Sequence, residues 1–148
     1  MKIKFLVAFL AVATAFTACK KDNDDTTPGK KLPTGQYRLI ESVQYDSAGK
    51  DSATVKFPLS SLSLSFDQNK KAANIVGKPE SLNIVGSYNV KANSALTDKL
   101  ISTSKIIGTV NDGLVVTLLQ NGTAYEATSG TVTIKAKDKG YLVFSMQK

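Results

Sequence analysis

The sequence predicts a mainly β domain that carries one short helix, at about residues 112–121. Two patterns support the strands. Leu62, Leu64 and Phe66 alternate with serines, which is the period of two that marks a half-buried strand. Near the C-terminus, two alternating segments flank a turn at 138–140 and form the clearest hairpin of the chain. Antiparallel pairing is therefore expected.

The first strand is predicted from Gln36 to Asp46. Apolar residues of one parity should share one of its faces: Tyr37, Leu39, Val43 and Tyr45. Glu41 breaks this parity, and an exposed or edge position explains it better than a functional carboxylate. Alternation predicts further strands at 54–57, 61–66, 72–76, 82–90, 100–107, 131–137 and 141–146. Gly86 indicates a bulge or a close backbone approach inside its strand.

The helix prediction depends on an apolar stripe at helical spacing, formed by Leu114, Val115, Leu118 and Leu119. Asn111 or Asp112 could cap its start, and Gly122 would then lie just past its end. The alternative is a hairpin turn at Asn121-Gly122, preceded by β-favouring residues. Periodicity and capping residues together favour the helix.

An export leader precedes the domain. Met1 to Lys4 is basic, and an uncharged, mostly apolar stretch runs from Phe5 to Phe16. This is the plan of a signal peptide, and the stretch is shorter than the roughly 20 residues of a membrane-spanning helix. Residues 1–18 are therefore predicted to be a signal peptide, with an uncleaved anchor or a non-lipoprotein signal peptide as the alternatives.

The cleavage region, Phe16-Thr17-Ala18-Cys19, resembles the lipobox of bacterial lipoproteins, except that Phe16 replaces the usual Leu. The resemblance implies a diacylglyceryl group on the Cys19 sulfur, cleavage after Ala18 and acylation of the new amino terminus. Cys19 is the only cysteine, so it cannot form an internal disulfide. Two or more acyl chains anchor a protein stably. The expected lipid attachment site is Cys19, and the expected partner is a membrane.

Residues 19–33 are predicted to be a flexible tether, because Lys20 to Pro33 is polar, charged and without apolar periodicity. Its acids resemble the export signal that follows the acylated cysteine in surface-exposed lipoproteins of some Gram-negative bacteria: Asp22, Asp24 and Asp25. The implied location is the outer membrane, with the domain at the cell surface. A plain charged tether, with the domain facing the periplasm, is the alternative.

Residues 34–148 form one domain of ordinary size. The leader holds two of the 19 basic residues, so the chain from Cys19 carries 17 basic and 12 acidic residues, a net charge of +5. The charge is scattered, whereas nucleic-acid-binding proteins concentrate it on one face. No nucleic-acid partner is expected. Weak attraction for anionic glycans or lipid headgroups is the alternative to a merely soluble cationic surface.

From about Leu62 to Phe144 the chain resembles the META domain of heat-shock-associated bacterial lipoproteins. The matching residues follow the family order: Gly77, Asn83, Gly86-Ser87-Tyr88, Ser102-Thr103-Ser104-Lys105, Leu118-Leu119, Tyr125, Leu142 and Phe144. The resemblance implies a curled antiparallel sheet or open barrel with one short helix near Leu118. The family usually has two cysteines where this chain has Leu82 and either Ile106 or Ile107, so apolar packing would replace a disulfide.

A shorter resemblance points to lipocalin-like bacterial lipoproteins. Gly35-Gln36-Tyr37-Arg38-Leu39 is similar to the Gly-x-Trp-x-Leu segment that opens their first strand. Such a protein would carry a small apolar ligand.

The chain lacks the groups from which most active sites are built. It has no histidine, the commonest general base and metal ligand. It has no nucleophile elbow and no phosphate-binding loop. Most carboxylates fall in predicted turns or caps, and a dyad of Ser102 or Ser104 with Lys105 has little to support it. We expect no enzyme activity, no catalytic residue, no cofactor and no metal.

Two functions remain. The first is a non-enzymatic envelope lipoprotein that binds a partner in a stress-related or cell-envelope role, as the META resemblance implies. The second is a carrier with an apolar molecule inside the barrel, held by neighbouring apolar residues: Tyr37, Leu64, Phe66, Tyr88 and Phe144. The same residues would fill any core, so the carrier requires a void above about 300 Å³.

Overall fold

A computed structural model describes residues 31–104 and 108–148. Within these ranges the chain forms nine strands and one helix: β1 (Gln36–Tyr45), β2 (Asp51–Lys56), β3 (Ser63–Asp67), β4 (Ala72–Gly77), β5 (Ile84–Val90), β6 (Leu96–Thr103), α1 (Val110–Gln120), β7 (Gly122–Ala127), β8 (Thr131–Ala136) and β9 (Gly140–Met146). The predicted mainly β fold with one short helix is confirmed. β7 covers a segment for which the alternation predicted no strand.

All strand pairs are antiparallel, and the sheet runs in the order β6-β5-β4-β3-β1-β9-β8-β7. The first half of β1 pairs with β3, and its second half pairs with β2. The sheet curls until its two edge strands approach each other. Ala95, just before β6, bridges Ala124 of β7, and the Tyr125 amide donates to the Ser94 carbonyl at 3.0 Å. The result is a barrel-like sheet with one unsealed seam.

The two ends of the barrel differ. One end, called the mouth from here on, is where β1 begins and β9 ends, and it carries the turns at 67–71, 91–95 and 128–130. The far end carries the turns at 46–50 and 137–139 and is covered by α1, which packs on β6, β8 and β9. The helix buries Val115, Leu118 and Leu119 against the core. The far end is therefore closed, and the mouth is the end left for contacts.

The shared face predicted for β1 is wrong in its second half. The register of β1 against β9 shifts between Leu39 and Glu41, so two β1 residues there lie opposite one on β9. Such a bulge reverses which side chains point inward. Tyr37 and Leu39 face the core. Val43 is also buried, but it lies on the opposite, outer face, outside the core cluster, where it pairs with half-exposed Tyr141. Glu41 lies on that outer face too, and it forms an ion pair with Lys56 of β2.

The helix begins two residues earlier than predicted, and the predicted N-cap, Asn111 or Asp112, is wrong. Thr109 is the N-cap: its hydroxyl accepts from the Asp112 amide at 3.1 Å, and the Asp112 carboxylate accepts from the Thr109 amide at 2.9 Å. This reciprocal pair is a capping box. Asn121 is the C-cap, and Gly122, where β7 starts, lies just past the helix end as predicted. The hairpin alternative is wrong because the residues before Asn121 are helical.

Gly86 marks a close approach, as predicted. A Cβ at this position would lie 2.5 Å from Ile101 Cδ1 and 2.7 Å from the Leu100 carbonyl oxygen of β6. The adjoining strand, predicted at 100–107, occurs at 96–103 in the structure, and residues 105–107 lie outside the described ranges. Only glycine lets β6 lie this close to β5.

Candidate functional site

A cleft of about 350 Å³ opens at the mouth and is called the mouth cleft. Its walls come from the chain entering β1, from β7 with its turn, and from the end of β9: Lys31, Leu32, Pro33, Thr34, Tyr37, Tyr125, Ala127, Thr128, Ser129 and Met146. Most of these residues contribute apolar or aromatic surface. An apolar cleft with a few polar groups at its rim is the usual form of a small-molecule or peptide site.

Two aromatic residues fix the floor of the mouth cleft. The Tyr37 hydroxyl donates to the Thr34 carbonyl at 3.0 Å, which holds the entering chain against β1. Tyr125 packs on Phe66, with ring centroids 5.1 Å apart. Both tyrosines are almost fully buried, so only a small part of each side chain reaches the cleft. The floor is therefore built from well-packed side chains.

A second, smaller cleft of about 180 Å³ adjoins the first and is called the lysine pocket. It is lined by three lysines, one amide and apolar residues: Lys31, Lys71, Lys91, Gln68, Leu32, Val90 and Ala92. No acidic residue lines it. Asp98 lies nearby, and its pKa is lowered first by hydrogen bonds from Asn89 and Thr97 and to a lesser degree by the charge of Lys91.

Leu32 separates the two clefts and lines both. Its side chain packs against the hydrophobic core, and the Gln68 amide donates to the carbonyls of Leu32 and Pro33 at 3.1 and 3.3 Å. The last residues of the predicted tether therefore lie on the barrel. A single leucine in an otherwise charged segment was the sequence signal that could have revealed this contact.

The residues predicted to hold a ligand inside the barrel form its core. Leu64, Tyr88 and Phe144 are fully buried, and Tyr37 is 2% exposed. Phe66 is half-buried against Tyr125. Side chains thus fill the centre of the barrel, and of the predicted set only Tyr37 lines the mouth cleft. Sequence reasoning missed Leu32, Pro33 and Met146, which come together only because the start of β1 pairs with the end of β9.

The carboxylates of the described domain lie in structural positions. Asp46 and Asp67 accept backbone amides of their own turns, at 2.8 to 3.0 Å. Glu126 pairs with Lys135, and Glu80 accepts from Thr109 and Asn111 beside the helix start. Within residues 31–104 and 108–148, no group of three acids could hold a metal ion. Turns thus account for some of these carboxylates, and strands, one loop and the helix start hold the others.

Asp112 is the one fully buried carboxylate of these ranges. It accepts the Ser81 hydroxyl at 2.7 Å and the amides of Glu80, Ser81, Leu82 and Thr109 at 2.9 to 3.3 Å. Burial by itself raises the pKa of Asp112, but the hydrogen bonds from Ser81, Thr109 and Glu80 outweigh it and lower the pKa to about 2. The carboxylate stays ionised and binds the 80–82 loop to the helix start.

Several predicted residues lie outside the described part of the chain, among them the leader, Cys19 and Lys105 of the imagined dyad. Ser102 is exposed on the outer face of β6, and Ser104 follows that strand. The described residues contain no helix of sufficient length and hydropathy to cross a bilayer.

Comparison with known proteins gives one fold relationship. No family model matches the chain, and no curated protein matches its sequence. The crystal structure of a DUF4847 family protein from Bacteroides vulgatus ATCC 8482 superposes with a TM-score of 0.50 at 13% identity. The match covers 78% of this chain and 94% of that one. At this identity the likeness concerns the fold alone.

Proposed function

We propose that this chain is an outer-membrane lipoprotein, held by lipid on Cys19 with its META-like domain at the cell surface, and that the domain is a non-enzymatic binding module of the cell envelope. The observation that carries the binding role is the mouth cleft, a mostly apolar surface at the barrel end where β1 begins. The opposite end is closed by α1. Contacts with a partner are therefore made at the mouth.

The absence of enzyme activity belongs to the same proposal. The mouth cleft is lined by one cation and no carboxylate. The acids considered above serve turns, helix capping and ion pairs, and general acid–base catalysis needs such groups within hydrogen-bond reach of a substrate.

Lipid attachment is tested directly. Cys19→Ala should abolish incorporation of a fatty-acid analogue, because it removes the sulfur that would receive the diacylglyceryl group. A Lys20→Ala variant, which keeps the sulfur, is the matched control and should label normally. Persistent labelling of the Cys19 variant would refute the anchor.

Surface exposure has its own experiment. Protease added to intact cells should remove the domain while a periplasmic marker stays whole. Replacing Asp22, Asp24 and Asp25 by alanine should shift the domain to the protected fraction if these acids form the export signal. Full protection of the unmodified protein would contradict exposure.

A lipocalin-like carrier of a small apolar ligand is the second candidate, and the size and apolar lining of the mouth cleft favour it. Because the barrel centre is filled, the ligand would lie at the mouth with its apolar part against Tyr125 and Met146. The barrel-like fold is compatible with this role.

One titration, with a fluorescent fatty-acid analogue, tests the carrier. Met146→Glu should weaken binding about tenfold, since losing contact with two methylenes costs roughly 1.6 kcal/mol. Val76→Glu introduces the same charge on the outer face of β4, where Val76 is 51% exposed, and should change nothing. Failure of the unmodified chain to bind would exclude the carrier.

The partner would be identified by affinity capture from the cell envelope. The unmodified chain and its Met146 variant would each be used as bait, and the bound proteins and lipids would be analysed.

A further inference from the structure

The lysine pocket has a feature that core packing does not explain. Three cations, Lys31, Lys71 and Lys91, converge on one concave surface from three separate segments. Like charges brought together repel each other and weaken the fold unless an anion or solvent lies between them. Among the described residues, ion pairs within 4 Å involve only Lys56 and Lys135, both outside this pocket. Lys91 acts through its charge on the nearby carboxylate of Asp98, but no acidic residue lines the pocket itself. The three lysines are exposed, so an external anion can reach them.

The walls of the lysine pocket are held in place. Gln68 is fixed by its bonds to the carbonyls of Leu32 and Pro33. The Val90 amide donates to the Lys71 carbonyl at 2.7 Å, and the Lys91 amide donates to the Ala95 carbonyl at 3.0 Å. The volume of about 180 Å³ is roughly six times the share of one water molecule, which leaves room for a phosphate group and its hydration.

The apolar floor of the pocket, Leu32 and Val90, distinguishes it from a plain patch of charge. Lysine stems lie along apolar surface while their ammonium groups reach outward. A surface that combines such stems with an apolar floor suits the boundary between headgroups and acyl chains. The floor and the cations thus point to an amphiphilic surface rather than to a free ion.

We propose that the lysine pocket binds the phosphate headgroups of an anionic membrane and seats the mouth of the barrel on the bilayer. The inference rests on the proposed function in one respect, because the lipid on Cys19 would keep the pocket close to that membrane. Cys19 and Lys31 lie twelve positions apart, a length of chain that spans at most about 40 Å.

Vesicle flotation tests the pocket without the anchor. The chain from residue 19 with Cys19→Ser carries no acyl group, and all described elements lie within residues 31–148. It should bind phosphatidylcholine vesicles that contain phosphatidylglycerol, and it should not bind pure phosphatidylcholine. Replacing Lys31, Lys71 and Lys91 by glutamine should weaken binding about a hundredfold, since one lysine near an anionic surface contributes roughly fivefold.

The chain offers a matched control. Lys50, Lys137 and Lys139 lie in the turns of the far end, so their replacement by glutamine removes the same charge without touching the pocket. We expect this control variant to bind the anionic vesicles less than threefold more weakly than the unmodified chain. Equal losses for the two triple variants, or no loss for the pocket variant, would overturn the proposal.

Two further outcomes are informative. One distinguishes a lipid headgroup from free phosphate as the ligand, and the other distinguishes failure of the lipid anchor from failure of the lysine pocket. Amide shifts at Lys71 and Lys91 on adding inorganic phosphate, without vesicle binding, would overturn membrane docking. Because all of these measurements use the Cys19→Ser chain, they do not depend on lipidation. If the unmodified protein takes up no fatty-acid label in cells while the Cys19→Ser chain still binds vesicles, the anchor alone is refuted. If the unmodified protein is labelled but the Cys19→Ser chain does not bind vesicles, the pocket alone is refuted.

Discussion

Asp112 shows how much one side chain can do in this fold. It joins the N-terminus of α1 to the loop before β5 through its carboxylate oxygens. Hydrogen bonds to an ionised group are roughly twice as strong as neutral ones, and the helix N-terminus adds a favourable partial positive charge. A buried charge without a cation is therefore stabilised here by oriented N–H and O–H groups.

The lowered pKa of Asp112 predicts an acid-sensitive stability. Because the folded pKa of about 2 lies below the ordinary 3.8, the unfolded chain binds the proton first as the pH falls. The contribution, about 2 kcal/mol, is complete above pH 5 and is lost between about pH 4 and pH 2. Urea unfolding across this range should show the loss.

Asp112→Asn is the corresponding variant. Its amide nitrogen would face N–H donors, so it should lower the free energy of unfolding at pH 7 by at least about 2 kcal/mol. The difference in unfolding free energy between this variant and the unmodified chain should become smaller as the pH falls toward 2. Asp138→Asn, in an exposed turn where asparagine tolerates the φ of 58°, is the control and should change the stability by less than about 0.5 kcal/mol. Parallel pH curves for the Asp112 variant and the unmodified chain would contradict the explanation.

The helix α1 is the element whose placement depends most on other elements. Its first turn is held by the capping box and the 80–82 loop, and its last turn by Tyr88 of β5. The Tyr88 hydroxyl donates to the Leu119 carbonyl at 2.5 Å. Burial raises the pKa of Tyr88 above its ordinary value of 10, so the donor proton is kept at every physiological pH.

Tyr88→Phe tests this attachment. Removing the hydroxyl should lower the free energy of unfolding by about 1 kcal/mol and should speed amide exchange in the last turn of α1. Tyr45→Phe, on the half-exposed outer face beside Tyr141, is the control and should have an effect below about 0.5 kcal/mol. Unchanged exchange near Leu119 would show that packing alone holds the helix.

The barrel as a whole depends on a closure that is only partly hydrogen-bonded. Its edge strands are linked at Ala95 and Ala124, and by the amide of Tyr125 beside them. Unpaired strand edges are a liability for solubility, and α1 covers the part of β6 nearest the far end. The seam is therefore the weakest lateral junction of the molecule and the place where it should open first.

A cross-link tests the seam. Ala95→Cys with Ala124→Cys, in a Cys19→Ser background, should form a disulfide because directly opposed antiparallel residues lie about 4.5–5.5 Å apart. Closing this loop should raise the free energy of unfolding by about 2–4 kcal/mol, and reduction should reverse the gain. The mouth cleft lies beyond the bridge, so binding of the fatty-acid probe should stay unchanged. A cross-link that fails to form would contradict the closure.

Local patterns in the sequence determined most of the strands, the helix and the chemistry available to the chain. Alternation of apolar residues is a property of neighbours, so it revealed the strand of Leu64 and the final hairpin without knowledge of their partners. The absence of histidine and the single cysteine restricted the catalytic groups by composition alone. The expectation that Cys19 carries lipid has the same local origin and stays a prediction.

Only the tertiary structure decided which residues form a binding surface. The bulge near Ile40 reversed the predicted face of β1, because its position depends on pairing with β9. Leu32 and Met146 lie more than 100 positions apart and share a cleft because β1 and β9 are antiparallel neighbours. Lys31, Lys71 and Lys91 converge for a similar reason, since curling of the sheet brings distant turns to one end. Neither the apolar periodicity nor the composition of the sequence reveals the bulge or these two clusters, because they depend on contacts between segments that are far apart in the chain.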